Sequence, residues 1–216
     1  MTSLLRYQTA LLLRSQRWLA PFLLYAVFVG VGVNAGEPVL GSLGYTVAAL
    51  VPVSAWAVRI CLGQEPPAAR AVIAAAAGRT RAHLAAILTG SAATLLVGAV
   101  AVLAVTALSE HRAVAPLPAA LEGLLAAAVC VLTGTAVGAL TTRPLVRSRG
   151  WSLAGLLLGS LLALVTTGSP AKAAISPLVA AAHTATVTYP WPALAGALAA
   201  SAAAVGVACR ATAWWE

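Results

Sequence analysis

"LAAILTGSAATLLVGAVAVLAVTAL", residues 84–108, runs for 25 positions without a charged side chain. An α-helix needs about 20 apolar residues to cross the hydrocarbon core of a bilayer. The stretch therefore reads as a membrane span. Five further runs, at 18–35, 44–62, 118–141, 151–168 and 191–209, read the same way. None alternates polar and apolar residues as a barrel strand does, so helices are the spanning elements. The whole chain is 61 % hydrophobic and 8 % charged, whereas about a quarter of a soluble domain is charged. The expected fold class is an all-α membrane protein, one transmembrane domain over residues 1–216 with six transmembrane helices. Arginines precede the first run, as in a signal peptide. That run is longer than a secretory h-region, lacks an A-x-A-like site and is followed by five more, so it reads as retained.

Charge sets the expected orientation. With the N-terminus inside, Arg6, Arg14, Arg17, Arg59, Arg70, Arg79, Arg81, Arg143, Arg147, Arg149 and Arg210 are cytoplasmic, 11 of the 13 basic residues. Only Arg112 and Lys172 fall outside. Cytoplasmic loops carry this excess in multi-pass proteins, which puts both termini in the cytoplasm. The net charge of +8 is then a topology signal. No stretch interleaves basic and aromatic residues as a nucleic-acid surface would, so no nucleic-acid partner is expected.

Three segments outside the spans read as helices. In MTSLLRYQTALLLRSQR (1–17) the three arginines share one arc and Leu4, Leu5, Leu11 and Leu12 point elsewhere, as in a helix lying in the membrane interface. In QEPPAARAVIAAAAGRTRAH (64–83), Pro66 and Pro67 suit a helix's first turn and Gly78 its stop, so Ala68 to Ala77 should be a short cytoplasmic helix. Its length and alanine content make it unstable alone, so something should pack against it. In SPAKAAISPLVAAAHTATVTYPWP (169–192) an apolar stretch near 171–182 lies between prolines. It is too short to span, and reads as a short outer re-entrant or interfacial helix before span six. Gly-x-x-x-Gly spacings at Gly32/Gly36, Gly134/Gly138 and Gly155/Gly159 offer sites of close helix approach.

Catalytic chemistry is nearly absent. The chain has no aspartate and one lysine, Lys172 in SPAKAAI, so no phosphate-binding loop and no aspartate for magnesium. It is not expected to be an enzyme by itself. Glu122 is the single carboxylate inside an expected span, a candidate for the translocation path. It also stands about one turn from the outer helix end, where a carboxylate reaches water. His83 and His183 have no second ligand at metal spacing, and Cys61, Cys130 and Cys209 form no C-x-x-C pair, so neither metal nor disulfide is expected. Ser169 is followed by Pro170, which removes the G-x-S-G of a rhomboid-type protease.

The layout resembles the membrane-spanning permease subunit of a type-2 ATP-binding cassette (ABC) exporter. RYQTALLLRSQRWLAP (6–21) is similar to the elbow helix that enters span one. EPPAARAVIAAAAGRTRAHLA (65–85) is similar in position to the coupling helix after span two, with a glutamate and two prolines in place of the more usual acidic, glycine-containing start. The resemblance implies a separate cytoplasmic ABC ATPase subunit that holds ATP and magnesium, and a second permease subunit, identical or related. It also implies a plasma-membrane location and a small or amphipathic substrate moved outward through the lipid bilayer. Glu65, Pro66, Arg70, Ala74, Arg79 and Arg81 are then the expected ATPase contacts, and the permease itself binds no cofactor. A membrane assembly or anchoring subunit is the alternative, and a stand-alone carrier or channel the third. No internal repeat supports a secondary carrier.

Overall fold

The computed structural model describes residues 1–33, 38–109, 115–142, 148–184 and 186–215. Gly36, Arg112, Arg143 and Arg147 lie outside the described residues, as do the side chains of Arg149, His183, Trp214 and Trp215. The described chain forms ten helices.

Helix α1 (Thr2–Ser15) buries Gln8 and Leu12, four residues apart on one face. It stops at Gln16, whose φ of 52° breaks the helix in the left-handed region. Helix α2 (Leu19–Gly32) follows. Helices α3 (Val39–Ala48) and α4 (Leu50–Gly63) form one 25-residue span with a break at Ala49. Pro52 explains the break, since it has no N–H for the carbonyl of Ala48 and its ring crowds that turn. Helix α5 (Pro67–Ala77) leads into α6 (Arg79–Leu108), 30 residues long, and α7 (Pro116–Leu140) follows. Helices α8 (Arg149–Val165), α9 (Pro170–Thr184) and α10 (Trp191–Trp215) complete the chain.

Four of these are long and apolar enough to cross a membrane: Val39–Gly63, Arg79–Leu108, Pro116–Leu140 and Trp191–Thr212. The α8–α9 pair meets the same test when taken together, with a bend of 49° at the break. The result is four to five spans by length among the described residues, where the sequence gives six apolar runs. The difference lies at α2. Its 14 residues reach about 21 Å, short of a hydrocarbon core of about 30 Å. The run at 18–35 is apolar enough, but the helix described within it covers only Leu19–Gly32. Helix α9 covers the stretch expected near 171–182. Ala171, Ala174, Leu178 and Ala181 bury one face of it in the same core as α3 and α7. That face is therefore held inside the bundle.

The main core joins α3, α4, α7 and α9 with parts of α6 and α10. Glycines allow α7 to press on α4: a Cβ at Gly138 would stand 2.8 Å from the Ala55 carbonyl oxygen, and one at Gly134 would strike that of Val51. A hydroxyl cluster ties three spans at this level. Ser54 Oγ of α4 lies 3.2 Å from Thr135 Oγ1 of α7, which lies 2.8 Å from Ser91 Oγ of α6. At one end, here called the base, Leu12 packs with Cys61 and Ala86, while Ala208 packs with Val58, Ile87 and Ala139. Helix α1 and the end of α10 thus meet at the same end of the bundle.

Candidate partner-docking site at the base of the bundle

Helix α5 crosses the base between α4 and α6. Pro66 is extended (φ −61°, ψ 149°) and caps the helix, and the Arg70 amide donates to its carbonyl at 3.0 Å. Gly78 ends the helix with φ 87°, where a Cβ would be strained, and its N–H donates to Ala74 O at 3.0 Å. The same glycine starts α6, its carbonyl accepting from the Ala82 amide at 3.1 Å. One residue thus serves two helices, which makes the turn tight.

The exposed residues of α5 are Ala68, Ala71, Val72, Ala75 and Ala76. Their spacing of three and four residues puts them on one face. Arg70, Ile73, Ala74 and Ala77 are half-buried. The outward face is apolar and shallow, with small side chains that let a neighbour approach closely. Arg79 and Arg81, both exposed, follow it at the start of α6.

A polar network holds the start of α5. Gln8 of α1, 1 % exposed, donates through Nε2 to Glu65 Oε1 at 2.5 Å. Its own Oε1 accepts from Gln64 Nε2 at 3.1 Å. Arg70 Nη2 donates to Leu62 O at 3.4 Å and to Glu65 O at 3.3 Å. Leu62 O is in the last turn of α4, where carbonyls lack helical partners, and Glu65 O is in the connection to α5. The guanidinium thus fastens α5 to the end of the preceding helix.

The structure brings most of the expected contact residues together. Glu65, Arg70, Ala74 and Arg79 line one cleft of about 470 Å³, with Cys61, His83 and Thr212 among its other walls. Arg81 lines a separate groove of about 450 Å³, between α5 and the start of α1. Pro66 is exposed at the helix start. Two of the residues have roles within the chain: Glu65 holds Gln8, and Ala74 sits on the half-buried side while Ala75 faces outward.

Glu122 lies apart from this group. It is on α7, at 0 % exposure, and neither carboxylate oxygen has a hydrogen-bonding partner. The backbone of Thr188, in the connection before α10, lies close enough to interact with its carboxylate. The expectation of a carboxylate that reaches water is therefore not met within this chain: the 186–190 connection reaches back to its level.

Residues the sequence reading passed over are Gln8, Gln64 and, on the outward face of α5, Ala71 and Val72. One signal was present for Gln8, which stands among Leu4, Leu5, Leu11 and Leu12 on the leucine side of α1. Among the described residues no group of three His, Cys, Asp or Glu side chains is placed to hold a metal, and Cys61, Cys130 and Cys209 are free and buried. The base offers a surface for contact. No family model, curated protein or solved structure matches the chain.

Proposed function

We propose that this chain is the membrane-spanning permease subunit of an ABC exporter, moving a small or amphipathic substrate outward with ATP hydrolysed by a separate subunit. The observation that carries the reading is α5: an 11-residue helix with an apolar outward face of Ala68, Ala71, Val72, Ala75 and Ala76, fixed at both ends across the base. So short and alanine-rich a helix is marginal alone, and a face of small side chains fits a partner that presses closely on it. Arg79 and Arg81 beside it supply charge for acidic or carbonyl acceptors on that partner.

In this reading α2 belongs to the first crossing, the bent α8–α9 pair makes the fifth and α10 the sixth. An even number agrees with α1 and the end of α10 meeting at the base. The basic residues assign that base to the cytoplasm of a plasma-membrane protein. A second permease subunit, identical or related, completes the pathway. The absence of a phosphate loop and of aspartate supports a division of labour in which the partner binds ATP and magnesium.

The test is to purify the tagged chain in mild detergent and identify what accompanies it. A co-purifying chain with a phosphate loop is the expected result. Recovery with integral membrane or cell-envelope proteins alone would favour the assembly-subunit reading instead.

A further inference from the structure

Gln8 is 1 % exposed, although its neighbours Arg6, Tyr7, Thr9 and Ala10 are exposed. A buried amide is costly unless hydrogen-bonded. Gln8 uses both ends of its amide, donating to Glu65 at 2.5 Å and accepting from Gln64 at 3.1 Å. The bond to Glu65 joins positions 57 apart in the chain. From this latch the two helices share a groove of about 450 Å³, lined by Met1, Ser3 and Leu4 on one side and Val72, Ile73 and Ala76 on the other. At its other end α1 stops at the left-handed Gln16, and α2 follows. Helix α2 buries only Pro21 and Tyr25 fully, and it meets the bundle along one side, through Phe22, Val29 and the stack of Phe28 on Tyr45.

We propose that Gln8 is a positioning residue that makes α1 and α5 one moving unit, so that displacement of α5 reaches α2 through α1 and the turn at Gln16. The source of that displacement rests on the ATPase-partner reading above; the latch itself does not. Glu65 acts here through Gln8: its carboxylate, quoted above as an expected partner contact, serves inside the chain to set where α1 lies.

Amide hydrogen exchange on the full chain in lipid nanodiscs tests the latch without any partner. Gln8→Ala should raise exchange in α1 and α5 together, by about fivefold or more, while α6 and α7 hold. Glu65→Gln keeps an oxygen that accepts from Gln8, and should stay near wild type. No rise in Gln8→Ala, or a rise confined to α1, overturns the proposal. Should Gln8→Ala not fold, Gln8→Asn, one methylene short of Glu65, gives the same comparison. A second arm uses the complex with its co-purified ATPase. Adding ATP should change exchange at Gln16 and the first residues of α2 in wild type and in Glu65→Gln, and leave them unchanged in Gln8→Ala. The same ATP response in Gln8→Ala with the ATPase still bound overturns the transmission step. If no ATPase co-purifies, the permease reading fails by itself, and the first arm still decides whether the latch exists.

Discussion

Ser91 and Thr135 share a hydroxyl–hydroxyl hydrogen bond of 2.8 Å between α6 and α7. Each hydroxyl also has a carbonyl of its own helix in reach, Ile87 O at 2.9 Å for Ser91 and Val131 O at 2.8 Å for Thr135. Each proton can serve one bond at a time, so the cluster has more acceptors than donors. Thr135→Val keeps the shape of the side chain and leaves Ser91 and Ser54 their backbone acceptors. The expected loss is therefore small, about 1 kcal/mol in an unfolding measurement in mixed micelles. A loss several times larger would mean that the cluster does more than join helices.

Gly138 is expected to be far less tolerant. The Ala55 carbonyl oxygen and Cα would lie 2.8 and 3.1 Å from an added Cβ, and neither is a flexible group that can swing away. Gly138→Leu should destabilise the protein by about 3 kcal/mol or more by forcing α4 and α7 apart. Thermal aggregation in detergent measures it. A melting temperature within a degree or two of wild type would contradict this packing.

The two sides of α5 should behave differently. Ala75 is exposed, so Ala75→Glu should leave folding intact while reducing retention of the proposed ATPase partner about tenfold or more. Ala74 is half-buried in the cleft, so Ala74→Glu should cost stability as well. Pull-down yield and melting temperature, measured on the same preparations, separate the two effects. Equal ATPase retention in Ala75→Glu and in variants at Ala71 and Val72 would remove α5 as the docking element.

Among the described residues no side chain bonds the buried Glu122 carboxylate, and the Thr188 backbone beside it can interact with a glutamine as well. Glu122→Gln keeps the volume and discards an uncompensated buried carboxylate, so stability should be unchanged or higher and transport near wild type. Transport by reconstituted vesicles is the check. A large loss in well-folded Gln variant would place the carboxylate on the substrate's route.

Orientation has a direct test. In a background without Cys61, Cys130 and Cys209, single cysteines replacing Arg112 and Arg147 should label from opposite sides with an impermeant reagent. The 11-to-2 division of basic residues predicts outside labelling at 112 and none at 147. Labelling of 147 from outside would reverse the topology.

The boundaries of α5 were legible because proline and glycine act locally: Pro67 stands in the first turn and Gly78 at the stop whatever surrounds them. Spans at α6, α7 and α10 were legible because a long apolar run leaves the chain one option in lipid. The latch was not. The place of Gln8 on the leucine side of α1 points it inward, but only the fold brings Glu65, 57 positions away, within reach of it. Glu122 misled for the same reason, since its depth depends on the 186–190 connection rather than on its distance from a helix end. Likewise the run at 18–35 reads as a full span by hydropathy, although the helix described there ends at Gly32.

The length of α6 has a consequence for distance. Thirty residues rise about 45 Å, while the hydrocarbon core takes about 30 Å. Roughly ten residues of α6 must therefore stand clear of the lipid tails. With Arg79, Thr80 and Arg81 exposed at the start of α6, charged residues that avoid hydrocarbon assign some of that excess to the base. Helix α6 is then a mast, and α5 is carried on it at or beyond the depth of the lipid head groups. Any protein that docks there need not touch hydrocarbon at all, so a water-soluble subunit could bind and leave without a membrane anchor of its own.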